Sequence, residues 1–321
     1  MNTLSRSQQT QIIAALVEGN SIRSVERMTG VHRDSIMRLG VKVGEGCRRL
    51  HDARMRDLQV SVIELDEQWA FIGCKAKRAS IEDKAAGTRG DCYVFVALDA
   101  TSKSVLSYVV GKRDGMNTLA LANDLRARIV NRPQITADGF APYPGAIEHA
   151  FGDDVDFATI VKTYTVTPGN EAAVRYSPGN IRGIEKTIVS GDPDKSAIST
   201  SYIERFNLTT RMQSRRFTRL TSGFSKKLEN HAAAIALQFA HYNLCRWHES
   251  IRAAPAMALG VADHIWSIGE LVDAALSATE PTPLPTPTRP RGMSASEAKG
   301  GQTAVQPKRF YVIRGGKGRK K

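Results

Sequence analysis

Between residues 63 and 164 the spacing of the apolar residues changes several times, and this alternation restricts the fold more than any other feature of the sequence. At the start of the segment, Ile63, Leu65 and Phe71 alternate with acidic and amide residues, which indicates a half-buried strand. Glu67 has the parity of the apolar residues and does not fit the alternation. We therefore expect a β-bulge or a strand end near Glu67.

The later changes of spacing predict a hairpin, a helix, a strand, a second helix, a strand, a long loop and a mostly helical segment. The Gly- and Pro-rich loop spans residues 165–200 and contains one possible strand, and the helical segment is interrupted near Ser222. In chain order, these elements are expected at residues 93–98 with 105–110, then 119–129, 134–137, 146–151, 157–164, 186–190 and 201–248. This order predicts an α/β fold, a mixed sheet with flanking helices.

The first 50 residues predict an all-α helix-turn-helix domain. A first helix is expected where Ile12, Ile13, Leu16 and Val17 share one face. A second short helix begins at Ser21, a glycine-containing turn follows at residues 29–31, and a third helix is expected at residues 32–39. In such a motif the helix after the turn enters the major groove of DNA. Three polar residues on its exposed side are candidate DNA contacts: Arg33, Ser35 and Arg38.

The chain carries a formal net charge of +13, which suits a polyanionic partner such as nucleic acid. Residues 205–227 contain seven basic residues and no acidic residue, a composition suited to the phosphate backbone of DNA. Residues 279–321 hold ten basic and two acidic residues and open with a proline-rich run. We expect this tail to be disordered. Within residues 205–227, the candidate contacts to the DNA phosphate backbone are Arg205, Arg215, Arg216 and Arg219.

These changes in composition divide the chain into four segments. Residues 1–50 are expected to form the helix-turn-helix domain, and residues 58–250 the α/β domain with the loop 165–200 inserted. Residues 251–278 form a short helical extension, and residues 279–321 form the tail.

The four cysteines are scattered, without a C-x-x-C pair or a cysteine–histidine cluster, so neither structural zinc nor a disulfide framework is expected. No stretch approaches the ~20 apolar residues of a membrane span. The first residues lack the apolar core of a secretory signal. We expect a cytoplasmic, nucleoid-associated protein of a bacterial-type cell, with no membrane partner.

Three acidic residues are distinguished by their positions along the chain. Asp66 is on the first strand, Asp138 follows the fourth strand, and Glu204 is at the start of the long helical segment. In a layered α/β sheet the first and fourth strands can be neighbours, and a helix can cover their ends. Three converging carboxylates would bind hard divalent cations, Mg²⁺ or Mn²⁺, because no cysteine or histidine lies nearby.

The sequence around each acid also resembles a known protein family. The three stretches are LDEQWAF at residues 65–71, TADGFAPY at 136–143 and YIERFNLTTR at 202–211. They are similar to the three acidic motifs of DDE insertion-sequence transposases, most of all the family named after insertion sequence one. The resemblance covers about residues 1–275.

The resemblance implies a ribonuclease H-like fold and a DNA transposition enzyme, a polynucleotidyl transferase of a mobile genetic element. Asp66, Asp138 and Glu204 would hold two Mg²⁺ or Mn²⁺ ions for DNA strand cleavage and strand transfer. Arg211 corresponds to a basic residue that many such enzymes carry seven positions after the glutamate, two turns further on the same helix face. The implied partners are the terminal inverted repeats, the target DNA and further copies of the chain in a homo-oligomer on DNA.

Two other functions agree with the same residues. A ribonuclease H-like nuclease would use the same three acids to hydrolyse DNA without joining strands. A helix-turn-helix protein on a catalytically inert scaffold would bind DNA only, and it would not need the three carboxylates.

Overall fold

The computed structural model describes residues 4–164, 181–217 and 222–283, with the backbone alone for residues 84–86. The helices are α1 (Arg6–Val17), α2 (Ile22–Thr29), α3 (Arg33–Arg54), α4 (Ile81–Ala86), α5 (Gly115–Arg126), α6 (Pro142–Phe151), α7 (Ser201–Gln213), α8 (Leu228–Leu244), α9 (Pro255–Ala258) and α10 (Ile268–Ser277). The strands are β1 (Val62–Ile72), β2 (Gly90–Asp99), β3 (Val105–Gly111), β4 (Gln134–Ala137), β5 (Asp156–Tyr164) and β6 (Ile181–Ser190). Single 3₁₀ turns follow β1 and α7.

The six strands form one mixed sheet in the order β3-β2-β1-β4-β5-β6. The strand pairs β1–β4 and β4–β5 are parallel, whereas β1–β2, β2–β3 and β5–β6 are antiparallel. The first and fourth strands are therefore neighbours, and helices cover both faces of the sheet. The predicted α/β fold with a mixed sheet and flanking helices is confirmed.

The predicted bulge at Glu67 is wrong. Strand β1 pairs with β2 without interruption from Ile63 opposite Asp99 to Ile72 opposite Gly90. Glu67 lies opposite Phe95 in this register, on the face that the apolar residues occupy. Glu67 breaks the alternation because its charged side chain lies on the same face of the unbroken strand as Ile63 and Leu65. It has polar partners there, which are described below.

Strand β1 is longer than β4, and the difference creates an opening beside Asp66. The last β1–β4 pair is Leu65 with Ala137, where β4 ends. From Asp66 onward β1 pairs with none of the described strands on that side, and the chain after Ala137 turns into the loop that carries Asp138. The two acidic positions therefore lie next to each other just beyond the C-terminal end of β4.

The two faces of the sheet are buried by different helices. Residues such as Leu65, Phe95 and Ile135 pack with residues of α5 and α6 in one hydrophobic core. The opposite face, with Val94 and Val96, packs against α7 and α8. Helix α7 therefore covers the face of β1 to which Glu64, Asp66 and Gln68 belong.

Helix α3 is much longer than the predicted segment 32–39, because it continues to Arg54. Its second half packs against α8 and α10 so closely that a side chain would collide. A Cβ at Gly44 would lie 2.1 Å from the carbonyl oxygen of Ala233, and one at Gly46 would lie 1.9 Å from that of Ala275. These glycines serve close helix packing, and the N-terminal helices share a hydrophobic core with α8 and α10.

The bounds of three further elements differ from the predictions. Helix α5 begins four residues earlier than predicted and ends at Arg126, α6 already begins at Pro142, and β6 begins at Ile181. The helical segment predicted at residues 201–248 consists of α7 and α8. Tail residues 284–321 lie outside the described part of the chain. In the described ranges, none of the helices has the length and apolar character required to cross a bilayer.

Candidate active site

Three carboxylates meet where β1 extends past the end of β4. One carboxylate oxygen each from Asp66, Glu67 and Asp138 lies within 4.8 Å of the other two. Asp66 and Asp138 were predicted to converge here, whereas Glu67 was not predicted as part of the site. We refer to these three residues as the acidic group.

Asp66 is oriented by hydrogen bonds from two sides. Its Oδ1 accepts from the Glu67 backbone N–H at 2.8 Å, and its Oδ2 accepts from Asn207 Nδ2 of α7 at 2.6 Å. The buried Gln68 side chain donates to Asn207 Oδ1. Because Gln68 takes up the amide oxygen of Asn207, the amide nitrogen is the atom that faces Asp66. Burial, together with the nearby charges of Glu67, Asp138 and Glu204, raises the pKa of Asp66 to about 7.

Asp138 is positioned by the turn that follows β4. Its Oδ1 accepts from the Phe140 backbone N–H at 2.9 Å, which closes an Asx-type turn. Gly139 lies against β5, and a Cβ there would lie 2.9 Å from Val161 Cγ2. A side chain at residue 139 would therefore force the exposed Val161 side chain to move. The Asp138 side chain is 40% exposed, so it faces solvent at the mouth of the group.

Glu67 extends the acidic group toward the α5–α6 side of the sheet. Its Oε2 accepts from Arg113 Nε at 3.1 Å, and the same guanidinium lies 3.6 Å from Asp138 Oδ2. Arg113 also stacks over the Phe140 ring at 3.9 Å. Burial raises the pKa of Glu67, and the neighbouring Tyr143 hydroxyl and Arg113 oppose that rise. The sequence contains one sign of this role: a charged residue stands at a position where the alternation of β1 predicts an apolar one. Taken alone, that exception indicates an irregularity of the strand.

Glu204 does not belong to the acidic group in this conformation. It lies in the first turn of α7 and its side chain is 48% exposed. One carboxylate oxygen, Oε1, accepts from the Lys162 ammonium of β5 and from Thr200 Oγ1, the latter at 2.9 Å. The carboxylate is close enough to affect the pKa of Asp66, but it faces Lys162. Lys162 was not identified from the sequence.

A second buried carboxylate fixes the start of α7. Glu64 of β1 is 1% exposed, and its Oε2 accepts from the Ile203 backbone N–H at 2.7 Å. Helix N-termini present unpaired N–H groups and a partial positive charge, so a carboxylate there stabilises the helix. Burial raises the pKa of Glu64 to about 7, and the backbone N–H groups of Ile203 and Tyr202 oppose that rise. Glu64 and Asn207 thus join α7, which carries Glu204, to β1.

The acidic group fits a divalent cation. It offers oxygen ligands from three carboxylates and no thiol or imidazole, which is the donor set that Mg²⁺ and Mn²⁺ prefer. One guanidinium, from Arg113, contacts two of the three carboxylates. Burial and, after it, the charges of Glu67, Asp138 and Glu204 raise the pKa of Asp66, and a bound cation would offset both effects.

The described candidate DNA contacts lie in the first turns of α3 and on or just after α7. Arg33 and Arg38 are exposed in the first turns of α3, with Ser35 half-buried between them and bonded to Arg38 at 3.2 Å. On and after α7 the structure places three exposed arginines and one half-buried arginine, Arg216, which donates to Ser225 at 3.4 Å. Arg219 lies outside the described residues. The exposed arginines are Arg205, Arg211 and Arg215.

Comparisons with known proteins give little sequence information. The chain matches no protein-family model and no curated protein. Among solved structures it is similar to one described as the cryo-EM structure of a piggyBac transposase synaptic complex with hairpin DNA. The identity is 10%, the match covers 84% of this chain and 69% of the other, and the TM-score is 0.36. At this score the residues of the two proteins cannot be equated one by one.

Proposed function

We propose that this chain is a transposase that binds the ends of an insertion sequence and cleaves and joins DNA strands with divalent cations. The observation that carries the proposal is the meeting of Asp66 and Asp138 where β4 ends and the parallel strand β1 continues past it. The helix with the third acid, Glu204, is hydrogen-bonded to β1 beside them. This order of acids along the chain is the one that the resemblance to DDE transposases implies.

Asp66, Asp138 and Glu204 would hold the cations, and Glu67 lies close enough to contribute an oxygen. Bound divalent cations activate a nucleophile at neutral pH and stabilise the leaving oxygen of a phosphodiester. The protein residues fix the geometry: Asn207 and the Glu67 backbone N–H orient the two oxygens of Asp66. Water, and then a DNA 3′ hydroxyl, would attack phosphorus in line, and a 3′ oxygen would leave in each step.

The exposed arginines support DNA as the substrate. Arg205 and Arg211 lie on the helix of Glu204, and Arg215 follows it, so their charges would face the phosphates of a strand that enters the site. Arg33, Ser35 and Arg38 lie at the start of α3, after the turn at Gly30. This arrangement supports reading of base edges or phosphates by α3.

The test uses duplex DNA from both flanks of the gene, incubated with the purified chain and Mg²⁺ or Mn²⁺. Denaturing gels report cleavage, and insertion into a plasmid reports joining. We expect Asp66→Asn, Asp138→Asn and Glu204→Gln each to reduce cleavage at least about 100-fold. DNA binding should remain, because the amide preserves shape and the arginines are untouched. Glu148→Gln, an exposed acid on α6, is the matched control and should cleave normally.

The same assay separates the alternatives. Cleavage without insertion would assign a ribonuclease H-like nuclease, and DNA binding without cleavage would assign an inert DNA-binding protein. Cleavage that continues in excess chelator, or at the wild-type rate in Glu204→Gln, would contradict the proposed mechanism.

A further inference from the structure

Lys162 of β5 is placed so that it competes for Glu204. Its ammonium contacts Glu204 Oε1, and its side chain is 15% exposed, so most of the side chain is buried beside the site. The last β4–β5 pair joins Ala137 with Thr159. Lys162 comes three residues later, where β5 extends past β4 as β1 does. Lys162 and Asp138 therefore lie at the same end of the sheet, beyond the last residue of β4.

The two basic side chains at the site, those of Arg113 and Lys162, differ in what they contact. Arg113 contacts two members of the acidic group and is also stacked on Phe140. Lys162 contacts Glu204, the carboxylate that stands apart from the group. Arg113 has Glu67 and the Phe140 ring as partners besides Asp138, so it does not depend on one carboxylate. Lys162 would lose its carboxylate partner if Glu204 turned toward a cation bound at the acidic group.

An ammonium on a largely buried side chain is less stable without an anionic partner, because little water can replace the lost counter-charge. The anion that a DNA strand brings to this position is a backbone phosphate. We propose that Lys162 exchanges partners: it holds Glu204 away from the acidic group in the free protein and contacts a DNA phosphate once Glu204 joins Asp66 and Asp138. This inference rests on the proposed function, and it adds Lys162 to the residues that touch the substrate.

The two contacts predict opposite effects of one substitution. In Lys162→Met, Glu204 is no longer held, so the DNA-free protein should bind Mn²⁺ about two- to fivefold more tightly, the range expected for loss of one partly exposed ion pair. At saturating Mn²⁺ the same variant lacks the phosphate contact, and strand cleavage should slow at least about tenfold. A purely structural role for Lys162 would weaken metal binding and cleavage together.

The experiment measures Mn²⁺ binding by titration calorimetry without DNA, and single-turnover cleavage of flank-derived duplex at saturating Mn²⁺. Lys162→Arg keeps the charge and should resemble the wild type in both. Lys77→Met removes an exposed lysine after β1 and is the control for charge loss. Lys162→Gln repeats the test with a polar side chain, in case Lys162→Met does not fold.

Tighter Mn²⁺ binding with slower cleavage supports the exchange. Unchanged or weaker Mn²⁺ binding in both neutral variants would overturn the holding contact, and wild-type cleavage at saturating Mn²⁺ would overturn the phosphate contact. If Asp66→Asn and Glu204→Gln also cleave normally, the proposed function itself fails. If those two are inactive and the Lys162 variants are normal, only the exchange fails.

Discussion

The carboxylates on the strands and the carboxylate on the helix are held in different ways. Asp66 and Glu67 belong to an unbroken strand and Asp138 to a closed turn, so sheet pairing and local hydrogen bonds bring them together. Glu204 is on a helix joined to β1 through Glu64 and Asn207, and its own carboxylate pairs with Lys162. The acidic group is thus assembled by the fold, whereas Glu204 would have to leave Lys162 to join it.

The largest expected effect is on Mn²⁺ binding by the DNA-free protein, where the strand carboxylates and Glu204 should contribute unequally. Asp66→Asn removes a charge from the assembled group and should weaken Mn²⁺ binding at least about 100-fold. Glu204→Gln removes a charge that is already paired with Lys162, so it should weaken Mn²⁺ binding only about twofold. Titration calorimetry measures both, and equal losses in the two variants would show that Glu204 is already a ligand in the free protein.

Asn207→Asp tests the hydrogen bond that joins α7 to Asp66. The variant would replace a donor with a second carboxylate against Asp66 Oδ2, in a position that is 4% exposed in the wild type. We expect a loss of about 2 kcal/mol in the free energy of unfolding at pH 8, measured by urea denaturation. Asn207→Ala adds no charge and should cost less, and the reverse ranking would contradict the orienting role of the amide.

Glu67→Gln tests whether the residue missed by the sequence contributes to the acidic group. Loss of its charge leaves Asp66 and Asp138 as the assembled carboxylates, so Mn²⁺ binding should weaken about tenfold. The effect should be smaller than that of Asp66→Asn. Wild-type Mn²⁺ affinity in Glu67→Gln would mean that Glu67 serves only to position Arg113.

The smallest expected effect concerns the attachment of α7. Glu64→Ala removes the acceptor for the Ile203 N–H, and loss of such a helix cap costs about 1 kcal/mol. Amide hydrogen exchange should become faster in the first turn of α7 while that of α8 stays unchanged. If the Ile203 amide keeps its wild-type protection, another group fixes the helix.

The parts of the molecule that were predictable depend on local patterns. Alternating apolar residues identified β1, and the turn after Ala137 was readable from Asp138 and Gly139. The order of elements then predicted the α/β fold. Asp66 and Asp138 could be paired from the sequence because strand order alone makes their positions neighbours.

The parts that were not predictable depend on contacts between distant residues. The charge of Glu67 on the core face has a reason only when Arg113, 46 residues away, is brought next to it. The Lys162–Glu204 pair joins a strand to a helix that lies 42 residues further along the chain. The length of α3 was missed because Gly44 and Gly46, which disfavour an isolated helix, are required by close packing against Ala233 and Ala275.

Anomalous scattering from crystals of the free protein soaked in Mn²⁺ tests the central claim most directly. We expect a peak between the carboxylates of Asp66 and Asp138, and its absence from Asp66→Asn crystals soaked in the same way. A wild-type crystal at saturating Mn²⁺ with no peak at these carboxylates, or with the ion held by other residues, would contradict the metal-dependent mechanism.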